Sequence, residues 1–470
     1  MLLGYSPDLL AGVNLVIATV VAGLIGILAS PLLQLSASIY TFGFLIPALG
    51  AALIGRFRHF WPTLLTALAI GMTQSMFTKL QNDLSWFPKY GAREGLPFLI
   101  IIATMVLLGE RLPGRGNTEA TKLPTVPLAK ITPFAVVVPA IAGVIGLLVL
   151  GPLWRAAIMT TLIAAVLALS NVVLTGFAGQ TSLSQLAFAG VAGFSLAKLA
   201  THAHVPFPLA PLLAVVGAGV LGTLVGLPAL RVRGTNLAIV TLAGGVAIAE
   251  FVFKNPAFVG TASTGGAKIG NPKLGPWDMG LVLGTKSSRP IFGIMLLAVL
   301  VVTALGVTNL RRSSTGRRML AVRSNERAAA AAGINVARTK VLAYGISSLI
   351  AGIAGTLIAY RFGSVSDVSY GTVASLTALA VAYLGGITSV SGAITSGVVA
   401  ASGVAFFTTS RVVHSLGRWE ALIGGVLLIF TAIQNPEGIA GAIRMQSQAA
   451  RAKKASKAAA GAVSGQFLPT

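Results

Sequence analysis

A chain of 470 residues with 55% hydrophobic and only 10% charged side chains is an integral membrane protein, since soluble domains carry about 25% charge. The net charge of +23 does not signal nucleic-acid binding, because the basic residues fall between apolar runs and not on one soluble face. With no cysteine, disulfides and thiolate metal sites are excluded; His202 and His204 have no third ligand nearby, so no metal site is expected.

About 20 apolar residues are needed to cross ~30 Å of hydrocarbon. Candidate spans follow one another at 11–31, 38–54, 62–79, 96–109, 133–151, 155–175, 183–200, 208–227, 235–253, 290–309, 340–360, 372–386, 392–409 and 419–434. Leu10–Pro31 has no basic segment before it and no clear A-x-A site close behind, so it reads as a span and not a removed signal peptide. The runs at 96–109, 183–200 and 372–386 are short or broken by glycine and are candidates for re-entrant segments. Helical apolar runs argue against a β-barrel, whose strands alternate every two residues. The expected fold class is an all-α polytopic membrane protein with 11–14 transmembrane or re-entrant helices.

Glu110–Lys130 is rich in Pro, Gly and Thr. It marks a linker, set at 116–131, between one membrane unit at 1–115 and another at 132–445. Residues 446–470 form a basic Ala-, Lys- and Ser-rich tail, expected to be disordered or loosely held at an anionic membrane face. Placing the basic loop 310–340 on the cytoplasmic side and alternating outward also puts Arg56, Arg58, Arg231, Arg233 and the tail inside. The loop 254–289 then lies outside, although its Lys254, Lys268, Lys273, Lys286 and Arg289 run against the trend; the rule holds best for short loops.

Five segments carry motifs. In Asn171–Gly190, Gly176 and Gly179 permit tight backbone, while Gln180 and Ser182 can satisfy groups freed where a helix breaks; an ordinary polar turn is the alternative. In Leu227–Glu250, Arg231, Arg233 and Gly234 open a span that carries Asn236 and Thr241, and the arginines read first as topology anchors. Gly222 and Gly226, just before, form a G-x-x-x-G suited to helix packing. Thr264, Gly265 and Gly266 lie in the long outer loop, as a flexible contact for a binding protein or a plain surface turn. In Val381–Gly392, Gly385, Gly386, Ser389 and Gly392 suggest a helix break and a close crossing, a hinge more than a ligand contact.

The fifth segment, 315–344, is the most telling. With the flanking Arg311 and Arg312, it sets Arg317, Arg318, Arg323, Arg327, Arg338 and Lys340 against Glu326 alone. Its centre, Glu326–Ala332, is built of good helix formers and stops at Gly333. A short helix between two spans could dock a partner outside the membrane, with a topogenic basic loop as the plainer reading.

Glu326, Ala328, Ala329 and Gly333 resemble the EAA loop of bacterial ABC importer permeases, the helix that seats in a groove of the ATPase subunit. The run from Gly316-Arg317-Arg318 through Arg323 and Asn325 to Asn335 and Lys340 is similar to the LivM branch of the branched-chain amino acid permeases, and the other motifs fit the same pattern over 133–444. Thr388 departs from that pattern, which has glycine there. Residues 1–115 resemble, more weakly, the C-terminal part of a LivH-type partner, through 22–29, the span ending at Gly50, and 107–116. On that resemblance the front of the LivH-like unit is supplied upstream or by another chain.

The resemblance implies a transmembrane permease subunit of an ATP-driven importer, in the bacterial inner (plasma) membrane with its tail cytoplasmic. ABC ATPase subunits would dock on 316–340, and an external binding protein would deliver branched-chain amino acids or a related solute. A second permease subunit or a homodimer, and membrane lipids, complete the implied partners. Gly176, Gly179, Gln180, Ser182, Asn236, Thr241, Gly385, Gly386, Ser389 and Gly392 become candidates for the translocation path. There is no Walker A loop, so this chain is expected to bind no cofactor, with ATP and Mg used by the ATPase partners. The competing classes are an ion-coupled secondary transporter and a truncated, non-functional fragment. The former needs intramembrane acids; of 11 acidic residues Glu250 is the best candidate, and Lys254 is placed to pair with it.

Overall fold

The computed structural model describes residues 7–31, 44–84, 91–107, 126–127, 133–230, 235–255, 267–282, 288–412, 425–426, 429 and 437–448. Four helices come first: α1 (Pro7–Ala29), α2 (Phe44–Ile54), α3 (Phe60–Asp83) and α4 (Ala92–Leu107). Then follow α5 (Pro133–Val149), α6 (Pro152–Asn171), α7 (Gln185–Thr201), α8 (Leu209–Ala229) and α9 (Thr235–Ile248). The last group is α10 (Pro290–Arg312), α11 (Ser314–Ser324), α12 (Glu326–Ala331), α13 (Val336–Phe362), α14 (Thr372–Gly385), α15 (Val390–Val399) and α16 (Val404–Val412). Among the described residues, six helices are long and apolar enough to cross a membrane, and four shorter apolar helices accompany them. The protein is an all-α, multi-pass membrane protein.

Local chemistry sets several of these ends. Pro152 and Pro290 open α6 and α10, where a missing N–H costs nothing. Arg311 and Arg312 close α10, favourable charges at a helix C-terminus. The run expected at 392–409 is divided: α15 stops at Val399, Gly403 N–H turns back onto the Ala400 carbonyl, and Val404 N–H is taken by Thr161 Oγ1 at 3.1 Å. Most of the linker, most of the span at 419–434 and all of Thr264–Gly266 lie outside the described residues.

Burial ranks the helices. The 26-residue stretch Pro152–Phe177 has 83% of its most apolar window buried by protein, whereas Leu9–Ala29 has none. At 1.5 Å per residue the former is about 39 Å long, enough to cross ~30 Å of hydrocarbon. Around it, α7, α8 and α13 cross closely through small residues. Gly355 of α13 sits against the Ala189 carbonyl of α7, and Gly222 and Gly226 of α8 sit against Ser348 and Tyr344 of α13. In a membrane interior, where burial from water cannot drive association, such close approach supplies the packing.

The two ends of the bundle differ. At one, the basic end, α10, α11, α12 and the start of α13 meet. At the other, β1 (Ala267–Lys268) pairs antiparallel with β4 (Ser364–Val365), and β2 (Lys273–Leu274) pairs with β3 (Trp277–Asp278) in a hairpin. Nearby, Phe194 and Phe253 stack at 4.8 Å, and the Tyr370 hydroxyl donates to the Gly355 carbonyl at 2.9 Å.

Candidate functional site

After Asn171 the backbone of α6 widens into a π turn, Val172–Phe177, and then leaves the helix. Gln180 N–H still reaches the Leu174 carbonyl at 3.1 Å, and Thr175 Oγ1 donates to the Gln180 carbonyl at 3.2 Å. Gly179 has φ +69°, a left-handed conformation that glycine adopts without steric cost. Residues 180–184 are non-helical and return into the protein interior, where α7 starts. Their backbone is satisfied by side chains of other helices. Leu183 N–H donates to Thr241 Oγ1 of α9 at 3.0 Å, and Ser375 Oγ of α14 donates to the Leu183 carbonyl at 2.5 Å. The Ser182 and Ser184 hydroxyls meet at 3.0 Å. Non-helical backbone inside a membrane protein survives only where protein partners replace water in this way. The side chain of Asn236 lies outside the described residues.

The basic loop is folded throughout. Ser313 caps α11 by accepting from Gly316 N–H at 3.2 Å; Met319 and Val322 are buried beneath it, while Arg317 and Arg318 are exposed. Asn325 caps α12 by accepting from the N–H groups of Arg327 and Ala328 at 3.0 and 3.1 Å. Gly333, at φ +79°, ends that helix, and Ile334 N–H returns to the Ala329 carbonyl. Ala329 faces inward, whereas Arg327 and Ala328 face outward. A six-residue helix is too short to persist alone, so its caps and docking hold it. Glu326 also ties it down: its Oε1 lies 2.6 Å from the ammonium of Lys340, a side chain only 3% exposed.

Segments widely separated in sequence meet here. Arg323 Nη1 donates to the Gly176 carbonyl at 2.7 Å. A Cβ built on Gly179 would lie 2.9 Å from Arg323 Cγ. Gly176 itself abuts the Ile387 carbonyl, between Gly386 and Thr388. Gly386, at φ +118°, lets the chain leave α14, and Ser389 starts α15 by accepting from Gly392 N–H at 3.1 Å. Gly385 packs on Ser396, and a Cβ on Gly438 would lie 2.7 Å from Gly386 Cα. Beside it Glu437 pairs with Arg444 at 2.6 Å. Desolvation pulls the Arg323 guanidinium below its ordinary value, partly offset by Tyr383; an arginine stays charged at neutral pH regardless.

Sequence reading missed a second buried polar group. Ser347 Oγ of α13 lies 2.9 Å from the Ser170 carbonyl and 3.1 Å from Gln185 Oε1. Asn171, Gln185 and Tyr344 are also buried, and among the described residues both amide atoms of Asn171, Gln185 Nε2 and the Tyr344 hydroxyl lack a hydrogen-bond partner. Gln185 closes a polar run, Gln180–Gln185, and was within reach of sequence reasoning. Ser347 and Ser375 sit in unremarkable apolar helices, with no local signal. Glu250 is paired with Lys254 at 2.6 Å. Among the described residues no group of three or more His, Cys, Asp or Glu is placed to hold a metal.

A profile described as branched-chain amino acid transport system / permease component matches residues 155–432, the stretch that contains the helix break, the basic helices and the α14–α15 junction. The chain belongs to this permease family. The high-affinity branched-chain amino acid transport system permease protein LivM of Salmonella typhimurium is 31% identical over 296 residues, covering 59% of this chain and 68% of the relative. The autoinducer 2 import system permease protein LsrC of an Enterobacter species is 35% identical over 185 residues, 37% of this chain and 53% of its own. The xylose transport system permease protein XylH of Escherichia coli is 31% identical over 142 residues, 29% of this chain and 35% of its own. No solved structure matches significantly. The permease is thus a subunit of an ABC importer, a class whose members in general work with ATPase and binding-protein partners, and its relatives are permease subunits and not enzymes.

Proposed function

We propose that this permease is the membrane pathway for a small polar solute, branched-chain amino acids first, handed over by an external binding protein. Separate ATPase subunits, which use ATP and Mg, dock on the outward face of α12 around Arg327 and Ala328. The observation that carries this reading is a six-residue helix outside the spans, capped at both ends and pinned by the Glu326–Lys340 pair. Such a rigid knob suits docking better than a loose topogenic loop does, and it coincides with the resemblance to an EAA loop. In this reading the basic end and the C-terminal tail are cytoplasmic, Thr264–Gly266 contact the binding protein, and a second permease subunit or copy completes the pore. The nucleotide cycle shifts the populations of inward- and outward-open states.

The substrate class follows LivM, which matches over 59% of this chain. A sugar-like solute is the second reading, favoured by LsrC and XylH over shorter stretches. Purification from native membranes in mild detergent, followed by mass spectrometry and an ATPase assay, tests the first part. Stoichiometric ATPase subunits are expected with the wild type and are lost in Ala328→Trp, which adds bulk only to the outward face. A permease that purifies without them would overturn the docking reading. Uptake of labelled leucine, competed by isoleucine and valine but not by xylose, supports the amino acid class; the reverse pattern supports the sugar class.

A further inference from the structure

We infer that Arg323 is a positioning residue that joins the docking helices to both helix breaks, so that α11 and α12 move with the membrane-embedded breaks as one body. This rests on the ATPase-docking reading above.

Among the basic side chains of 311–340, Arg317, Arg318, Arg327 and Arg338 point outward. Arg323 points inward, and its guanidinium bonds a carbonyl 147 positions earlier, inside the π turn that ends α6. Its aliphatic stem lies across Gly179, where a Cβ would come within 2.9 Å of Cγ. On the far side of the same turn Gly176 touches the Ile387 carbonyl, and Gly386, the next residue back, touches Gly438. Three close contacts therefore stand in series: α11 to the first break, the first break to the second, and the second to the 438–448 helix. The second and third are made backbone to backbone at glycines, so no flexible side chain absorbs a displacement there, and the first runs through the Arg323 side chain, held by its bond to the Gly176 carbonyl. A turn of α11 must either carry the π turn along or break a charge-assisted bond that is partly shielded from water. Coupling between distant sites needs such a contiguous element, biased by both.

The test uses proteoliposomes holding the permease, the ATPase subunits that co-purify with it and its binding protein. Labelled leucine uptake and ATP hydrolysis are measured together, for wild type, Arg323→Gln, Arg323→Lys and the exposed control Arg58→Gln, outside the docking stretch. Arg323→Gln is expected to lower solute moved per ATP by about 5- to 150-fold, the ordinary range of coupling between sites, with ATPase recruitment retained. Arg323→Lys keeps one charged donor and recovers part of the loss; Arg58→Gln leaves the ratio within about twofold, since an exposed charge makes no such bond. The chain has no cysteine, so a Gly179→Cys/Arg323→Cys pair carries no background. The Cβ separation of 3.4 Å is close to that of a disulfide. Oxidising the pair is expected to restore coupling that the reduced form lacks, which separates a lost joint from a failure to fold. An unchanged ratio in Arg323→Gln overturns the inference. So does loss of ATPase recruitment in that variant, which would make Arg323 a partner contact. A wild type that recruits no ATPase overturns instead the reading on which the inference rests.

Discussion

Removing the carboxylate of Glu326 should cost more than an ordinary surface ion pair would. Lys340 is 3% exposed and its ammonium sits 2.6 Å from Glu326 Oε1, whose side chain is 22% exposed. At an effective dielectric of about 20, unit charges at that distance attract by roughly 6 kcal/mol, part of which offsets the desolvation of Lys340. Glu326→Gln therefore leaves a buried, unpaired ammonium, and breaking a buried pair from one side typically costs about 3–5 kcal/mol. Lys340→Met removes the buried charge, so Glu326→Gln/Lys340→Met should recover much of the loss. The assay is thermal unfolding in detergent of wild type, both single variants and the double. A coupling energy of about 2 kcal/mol or more is expected, and purely additive single effects, within ~0.5 kcal/mol, would refute the pairing argument. Charge reversal at Glu326 is accordingly a poor test of ATPase docking, since it would set two ammonium groups together; Ala328→Trp is the cleaner variant.

Three further outcomes follow. Ser375→Ala and Thr241→Ala each strip a partner from the Leu183 backbone, and each should cost about 1–3 kcal/mol of stability, read by thermal unfolding; no change would mean the non-helical segment is held otherwise. Asn171→Leu should be neutral or stabilising, within about 1 kcal/mol, because both amide atoms lack partners among the described residues; a large loss in the same measurement would reveal a buried water network. In the β2–β3 loop, desolvation raises the Asp278 pKa, but hydrogen bonds from Gly280 and Asn271 and the charges of Lys273 and Arg289 outweigh it, so the net shift is downward. The sign of the linkage then puts its stabilisation above the ordinary carboxylate value, to be lost as pH falls through the depressed one. Hydrogen-exchange protection factors over 271–280, corrected for the intrinsic pH dependence of exchange, should fall at acid pH in wild type and stay level in Asp278→Asn.

Membrane class was legible from composition, because the shortage of charge and the length of the apolar runs are properties of the chain that no packing alters. Family was legible too, since Gly176, Gly179, Gln180 and Ser182, or Glu326 to Gly333, are contiguous motifs whose residue types answer to local needs: a left-handed turn, a cap, a helix stop. Which motifs touch was decided elsewhere. Arg323 reads in sequence like its exposed neighbours Arg317 and Arg318, and only the packing of α11 on the π turn directs it inward. Ser375 satisfies a carbonyl 192 positions away, and Ser347 lies between Ser170 and Gln185 from across the core. A helical pattern records which face is apolar, but in a protein surrounded by lipid nearly every face is. The hydrophobic period that orients helices in soluble proteins is therefore faint, and close glycine contacts and buried hydrogen bonds choose the partners.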